Sequence, residues 1–216
     1  MKTTLLQPFE RIPYFTMEGF KQAADISKAE QARLLLHRWV KAGHLIQLKN
    51  GVYMTRRFFE QRRNDAVFSA AVSAIILPQS YLSLEYVLQK HNILTEVTYP
   101  VTALTTKNTR RIVNSLGTFW YRNLRADLYQ GFTISDYFGV QFAEATLAKA
   151  LFDFLYLRPL SRALRLPNFD LADELRLNLD DVAGAAISEF YSHVERSGSR
   201  KMERIADNFR RNVWQI

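Results

Sequence analysis

The sequence predicts an α+β protein with a small basic N-terminal domain and a larger C-terminal domain of nearly balanced charge. Residues 1–64 contain five lysines, seven arginines and five acidic residues, and so hold +7 of the chain's formal net charge of +8. Helix signals and one hairpin signal fill this basic segment, and several β-rich stretches follow it. A chain of 216 residues, 48% of them hydrophobic, is long enough for two domains. We therefore predict domains that span residues 1–60 and 61–216.

The composition excludes several classes of site. The chain has no cysteine, which excludes thiolate-bound zinc, disulfide bonds and a thiol nucleophile. No apolar run reaches the roughly 18 residues that a membrane-spanning helix needs, and no signal-peptide apolar segment follows Lys2. We therefore expect a soluble, cytoplasmic protein without a membrane partner.

Two helices are predicted near the N-terminus. Thr16 is placed to cap a short helix over residues 17–24, and Asp25 begins a tight turn after it. Ser27, with Glu30 three residues later, forms the capping-box pattern at the start of a second helix. Gly43 follows that helix and is free to take the left-handed conformation that closes it.

The predicted second helix has two different faces. One face is apolar at helical spacing, which predicts that it packs inward; its residues are Ala32, Leu35, Leu36, Trp39 and Val40. The opposite face is mostly polar, with five hydrogen-bond donors among six residues, and consists of Gln31, Arg33, Leu34, His37, Arg38 and Lys41. A merely solvated basic face is the competing interpretation of this pattern.

A β-hairpin is predicted directly after the second helix. Asn50 and Gly51 separate two apolar-rich runs, and this dipeptide favours a type I′ turn because both central residues need positive φ. Helix, turn, capped basic helix and hairpin, in this order, are typical of a winged helix-turn-helix. The sequence therefore predicts this fold for residues 1–60.

A positive field confined to one small domain indicates nucleic-acid binding. In a winged helix-turn-helix, the second helix enters the major groove and the hairpin reaches phosphates or the minor groove. We therefore predict that one set of residues on the second helix, the hairpin and the segment after it binds duplex DNA. The set consists of Lys28, Gln31, Arg33, Arg38, Lys41, Lys49, Asn50, Arg56 and Arg57.

The C-terminal domain is predicted to hold a small sheet, a buried helix and a helical tail. Helices are expected over residues 60–76, 83–90 and 145–157, the last one apolar enough to be buried against the sheet. The β-rich stretches are residues 98–106, 111–113, 118–122, 131–134 and 140–142. The tail over residues 170–216 is polar and helical, with breaks expected at Gly184 and Gly198.

No enzymatic motif is found in the sequence. The four histidines have no metal-binding spacing, and neither a phosphate-binding loop nor a nucleophile elbow occurs. Asp136, Glu144 and Asp153 with Lys149 could serve a metal-dependent nuclease. Lys149 and Asp153 are four residues apart on one helix, however, and a surface ion pair is the simpler interpretation. We predict no enzyme, no metal and no cofactor.

Three segments resemble AbiEi-type antitoxins and related regulators. They are Gly51-Val52-Tyr53, residues 80–94 (SYLSLEYVLQKHNIL) and residues 145–153 (ATLAKALFD). The last segment is similar to the family pattern A-[ST]-P-E-[KR]-A-L-x-D, except that Leu147 and Ala148 replace the proline and the glutamate. The resemblance covers roughly residues 15–157.

The resemblance implies a dual role in a type IV toxin–antitoxin system. Family members join an N-terminal winged helix-turn-helix to a C-terminal antitoxin domain, repress their own operon and oppose a nucleotidyltransferase-like toxin. The expected partners are therefore double-stranded operator DNA and, functionally, such a toxin. The alternative is a stand-alone winged-helix transcriptional regulator whose C-terminal domain senses a ligand or mediates oligomerisation.

Overall fold

A computed structural model describes residues 3–95, 100–159, 163 and 169–215 of the chain. The protein is a mixed α/β protein with helices and two sheets. Contacts between Cα atoms divide it into two compact units. The N-terminal unit consists of Met1–Gln79, Arg111–Phe119 and Ser135–Phe142, and the C-terminal unit consists of Ser80–Arg110, Trp120–Ile134 and Ala143–Ile216. The predicted boundary at residue 60 lies inside the first segment of the N-terminal unit.

The N-terminal unit begins with a 3-10 helix and a three-stranded antiparallel sheet interrupted by two helices. The elements are the 3-10 helix Thr3–Phe9, β1 (Phe15–Thr16), α1 (Met17–Ala23), α2 (Ala29–Lys41), β2 (Leu45–Lys49), β3 (Val52–Thr55), α3 (Arg56–Arg62) and α4 (Phe68–Ile76). The order of strands in this sheet is β1-β3-β2. Phe15 lies opposite Tyr53, and Ile46 lies opposite Met54.

Local signals explain the first helix. The Oγ1 atom of Thr16 accepts a hydrogen bond from the backbone N–H of Gly19 at 3.0 Å, as the predicted cap requires. Asp25 has a φ of +50° in the turn after α1, a conformation that Asp tolerates better than most residues. The predicted helix and the turn that ends it are therefore confirmed.

Aromatic side chains form the core of this part of the chain. The rings of Phe9 and Phe15 have centroids 4.3 Å apart, and the ring of Phe20 meets that of Trp39 edge-on at 5.5 Å. These rings and Leu36 are buried in one hydrophobic cluster. The apolar face of α2 therefore packs inward, as its periodicity predicted.

The single helix predicted over residues 60–76 is wrong, because the structure has two helices there. Thr55 caps α3 by accepting from the backbone N–H of Phe58 at 3.2 Å, so this helix starts four residues before Glu60. A turn then separates α3 from α4, and within it the carboxylate of Asp65 accepts from the hydroxyl of Tyr137 at 2.6 Å. This hydrogen bond joins the turn to a residue 72 positions later in the chain.

The C-terminal part of the chain contains a six-stranded sheet and several helices. Its elements are β4 (Tyr81–Leu82), α5 (Glu85–Lys90), β5 (Val101–Thr105), β6 (Arg110–Asn114), β7 (Gly117–Asn123), β8 (Phe132–Tyr137), β9 (Val140–Ala145), α6 (Leu147–Leu157), α7 (Leu171–Glu174), α8 (Gly184–Ser197) and α9 (Arg200–Phe209). The strand order is β6-β7-β5-β4-β9-β8. β4 runs antiparallel to β5 and parallel to β9.

The predicted strands are confirmed where the structure describes them. Residues 98 and 99 of the first predicted strand lie outside the described residues, as do most of residues 160–168 and Ile216. The helix expected from Ser83 begins two residues later, because Leu84 has a φ of +60° and so cannot belong to a right-handed helix. Gly198 ends α8 in the left-handed conformation, as predicted, whereas Gly184 begins that helix instead of breaking it.

Across the described part of the chain, none of the helices has both the length and the apolar character that a bilayer crossing requires.

Candidate nucleic-acid interface

The exposed face of α2 is the surface that the sequence predicted to meet DNA. Ala32, Leu36 and Trp39 are fully buried on the opposite face, so this one lies toward solvent. Four exposed residues at the spacing i, i+3, i+7 and i+10 form a single row, which we call the α2 stripe. They are Gln31, Leu34, Arg38 and Lys41. The stripe therefore combines three hydrogen-bond donors with one apolar side chain, that of Leu34, which is 55% exposed.

The cations of α2 differ in whether they are paired. Arg33 donates to the carboxylate of Glu30 at 2.8 Å, an exposed pair that contributes little to stability. The side chains of Lys28, Arg38 and Lys41 are exposed, and no described residue pairs with them. These three charges are therefore available to an external anion.

The capping box predicted at the start of α2 does not form. The helix begins at Ala29, its N-cap is Lys28, and no side chain caps it. Glu30 consequently occupies the second helical position instead of the third, and its carboxylate pairs with Arg33. The carbonyl of Lys28 closes the first turn by accepting from the backbone N–H of Gln31 at 3.2 Å.

The β2–β3 hairpin forms where Asn50 and Gly51 predicted it, but not with a type I′ turn. Gly51 has a φ of +70°, whereas Asn50 does not have the positive φ that this turn also needs. The register of β2 against β3 shifts between Gln47 and Lys49, so that Lys49 lies opposite Val52. Asn50 lies exposed at the tip of the hairpin.

Two predicted DNA-binding cations are held by backbone carbonyls of their own unit. The Nζ atom of Lys49 donates to the carbonyl of Ile76 at 2.9 Å. The Nε atom of Arg56 donates to the carbonyl of Gly43 at 3.2 Å. Both side chains are partly buried. They therefore fix the base of the hairpin to α4 and to the end of α2 and do not project from the hairpin tip.

Arg57, the remaining member of the predicted set, lies next to Arg56 but is much more exposed. Its guanidinium donates to Glu10 at 3.0 Å and stays 65% exposed. Seven members of the predicted set are therefore exposed, and they are Lys28, Gln31, Arg33, Arg38, Lys41, Asn50 and Arg57. Their contact with DNA remains a prediction.

Sequence reasoning missed the residues that surround the hairpin. The side chain of Asn114, the last residue of β6, donates to the carbonyl of Leu48 in β2 at 3.0 Å. Nothing in the local sequence indicated that the end of β6 would contact a residue 66 positions away. Leu34 was assigned to the polar face without a role, although its exposure places an apolar group in the α2 stripe.

A buried ion pair in the C-terminal unit contradicts the prediction of a surface pair on α6. Nζ of Lys149 and Oδ1 of Asp153 lie 2.5 Å apart, and the two side chains are 1% and 0% exposed. Asp153 also accepts from the hydroxyls of Ser83 at 2.8 Å and Tyr81 at 2.9 Å. Both α5 and α8 pack against α6, and Tyr81 of β4 contacts the pair directly.

Burial shifts the pKa of both partners. Desolvation raises the pKa of Asp153 to about 6, although the charge of Lys149 and three hydrogen bonds oppose the shift. Desolvation lowers the pKa of Lys149, and Asp153 opposes that shift. With the hydroxyls of Tyr81 and Ser83, these groups form a hydrogen-bonded network that ties α6 to β4 and to the residue after it.

The carboxylates considered for a nuclease have separate structural roles. Glu144 pairs with Lys90 at 2.6 Å, Asp136 accepts from the backbone N–H of Gly139 at 3.1 Å, and Asp153 is buried in its ion pair. A cluster of three or more histidine or carboxylate side chains suited to a metal is not found within the described ranges.

No known protein-family model matches this chain, and no curated protein matches it either.

Proposed function

We propose that the N-terminal unit contains a winged helix-turn-helix that binds duplex DNA through the α2 stripe. The order of elements supports this fold, since a 3-10 helix, β1, α1 and α2 precede the β2–β3 hairpin, and β1 extends the hairpin into a sheet of order β1-β3-β2. In such domains the second helix of the pair presents its outer face to the major groove. The exposed stripe with unpaired cations is the observation that carries the proposal.

The chemistry of the stripe suits base edges as well as phosphates. An arginine such as Arg38 can bind guanine through two hydrogen bonds, a glutamine such as Gln31 can bind adenine in the same way, and Leu34 can contact a thymine methyl group. Lys28 and Lys41, at the two ends of the helix, are suited to the phosphates on either side of a groove. We therefore propose that the α2 stripe binds DNA in a sequence-specific way.

The biological role that we propose is the one that the resemblance implies. A chain that binds its own operator with the N-terminal unit and opposes a nucleotidyltransferase-like toxin with the C-terminal unit would be an antitoxin and autorepressor. A toxin-like neighbouring reading frame would support this role. Rescue of growth by co-expression of the chain with that neighbour is its direct test.

DNA binding is expected to depend strongly on salt. The exposed cations of the predicted set are Lys28, Arg33, Arg38, Lys41 and Arg57. If these five neutralise phosphates, log K for a labelled duplex should fall with log[KCl] at a slope of about −4 to −5. Fluorescence anisotropy of the full-length protein at several salt concentrations measures the slope. A slope near zero would contradict the proposal.

Two variants separate base recognition from phosphate contact. We expect Arg38→Ala to weaken binding by about 1–3 kcal/mol on a duplex enriched from a random library, and by much less on unrelated DNA. Lys28→Ala should weaken binding to both duplexes equally. Arg125→Ala removes an exposed arginine of the C-terminal unit, paired with Asp127, and serves as the matched control. Equal losses on both duplexes for Arg38→Ala would show that α2 does not read sequence.

A further inference from the structure

One large apolar side chain of α2 points toward solvent instead of the core. Leu34 is 55% exposed, whereas Leu36 and Trp39 of the same helix are fully buried. Leu35 and Val40 are partly buried and pack against the same core. Leu34 therefore does not belong to the inward face of α2, and its isobutyl group is part of the surface that we propose for DNA.

Hydrogen-bonding side chains lie on both sides of Leu34 in the α2 stripe. Gln31 precedes it by three residues, Arg38 follows it by four, and both are exposed. Leu34 has no group that could donate to a base or accept from one, so it can offer a base edge only apolar contact. The apolar group that bases present in the major groove is the C5-methyl group of thymine.

The spacing of these three side chains matches the spacing of base pairs. A rise of about 1.5 Å per residue places Gln31 about 4.5 Å before Leu34 along the helix axis, and Arg38 about 6 Å after it. Successive base pairs are about 3.4 Å apart. On a helix that lies along the major groove, Leu34 therefore falls about one base step from the pair that Gln31 reaches and about two steps from the pair that Arg38 reaches.

We infer that Leu34 makes DNA recognition by α2 depend on a C5-methyl group that lies between a base pair read by Gln31 and a base pair read by Arg38. The expected site has an A·T pair at Gln31, a methyl-bearing pyrimidine about one step away, and a G·C pair at Arg38 about two steps further. Thymine supplies the methyl group in ordinary DNA, and 5-methylcytosine supplies it in methylated DNA. The inference rests on the proposed function, because it requires α2 to lie in the major groove.

The test starts from a duplex that the full-length protein enriches from a random library. Each thymine is replaced in turn by deoxyuridine, which pairs in the same way and lacks only the methyl group. Fluorescence anisotropy at constant salt concentration gives the Kd. We expect replacement at one position in each copy of the site to raise the Kd about fourfold, because the contact buries about one methyl group. If no replacement raises the Kd, the inference is wrong.

Leu34→Ala tests whether Leu34 makes this contact. The variant should bind the thymine duplex at least about fourfold more weakly than the unmodified protein, and deoxyuridine should cause no further loss. Leu5→Ala is the matched control, because Leu5 is 38% exposed in the same unit and lies outside α2. It should keep both the affinity and the loss on deoxyuridine. A full loss on deoxyuridine in folded Leu34→Ala would overturn the assignment.

A second pair of duplexes separates the methyl group from the rest of thymine. The methyl-sensitive thymine is replaced by cytosine in one duplex and by 5-methylcytosine in the other, each paired with guanine. The two duplexes differ only in the methyl group, so the unmodified protein should bind the methylated one about fourfold more tightly, and Leu34→Ala should bind both equally. Equal Kd values for the unmodified protein would contradict recognition of the methyl group.

Selections repeated with Gln31→Ala and Arg38→Ala test the order of the bases. Each variant should lose its preference at one position, with the two positions about three base steps apart and the methyl-sensitive position between them. A methyl-sensitive position outside that interval would overturn the inference. Salt-dependent binding to duplex DNA without any methyl-sensitive position would refute this inference alone. Absence of binding to any duplex would refute the proposed function, and the inference with it.

Discussion

Removal of the Lys149 ammonium group is expected to lower the free energy of unfolding by about 3–5 kcal/mol at pH 8 in the variant Lys149→Met. The reason is that the carboxylate of Asp153, which is 0% exposed, would lose its counter-ion and remain buried. The hydroxyls of Tyr81 and Ser83 would still donate to it, but they carry no charge. Urea denaturation followed by circular dichroism measures the loss.

The loss should also depend on pH. Without the ammonium group, the pKa of Asp153 in the folded protein rises above its value of about 6, whereas in the unfolded chain it is about 3.9. A folded pKa above the unfolded one means that protonation stabilises the fold. That stabilisation is complete below about pH 3.9 and is lost as the pH rises through the folded pKa. We therefore expect a smaller loss at pH 5 than at pH 8.

The matched control is Lys90→Met, which removes an exposed cation in the same unit and so breaks its ion pair with Glu144. The Lys90 side chain is 54% exposed, so the loss should stay below about 1 kcal/mol. Similar losses for the two variants at pH 8 would show that burial of the Lys149 pair does not decide its contribution.

A methyl group at Gly131 is expected to cost about 2–5 kcal/mol of stability in the variant Gly131→Ala. Gly131 has a φ of +77°, where any other residue is strained by about 1–2 kcal/mol. Its Cβ would also lie 2.9 Å from Cε1 of His193 and 3.0 Å from Cγ of Lys149. The Lys149 side chain cannot move aside freely, because its far end is bound to Asp153. Overpacking of this kind costs about 1–3 kcal/mol more.

Gly139→Ala separates the two causes. Gly139 has nearly the same φ, +79°, but a Cβ there would meet nothing within 4 Å. The free energy of unfolding of Gly139→Ala should therefore fall only by the cost of the backbone strain. In thermal or urea unfolding, Gly139→Ala should be about 1–3 kcal/mol more stable than Gly131→Ala. Equal losses would mean that the contact with His193 and Lys149 relaxes without cost.

The sequence by itself determined the first two helices and the hairpin of the N-terminal unit. The Thr16 cap, the apolar period of α2, and Asn50-Gly51 each act over a few residues, and each element formed where it was predicted. The finer local predictions were less successful. The Ser27 capping box and the type I′ turn both failed, because small shifts in helix start and strand register changed the positions of the residues on which they depended.

Only the tertiary structure decided what the charged residues of these elements do. Lys149 and Asp153 have the spacing of a surface pair, yet both are buried, and Asp153 accepts from Tyr81 and Ser83, about 70 residues earlier in the chain. Lys49 was predicted to bind DNA, yet its ammonium group donates to the carbonyl of Ile76, 27 residues away. The physical reason is that caps, periods and turns act between neighbours in sequence. Burial and charge pairing depend on which distant segment packs over a residue, and the local sequence does not specify that segment.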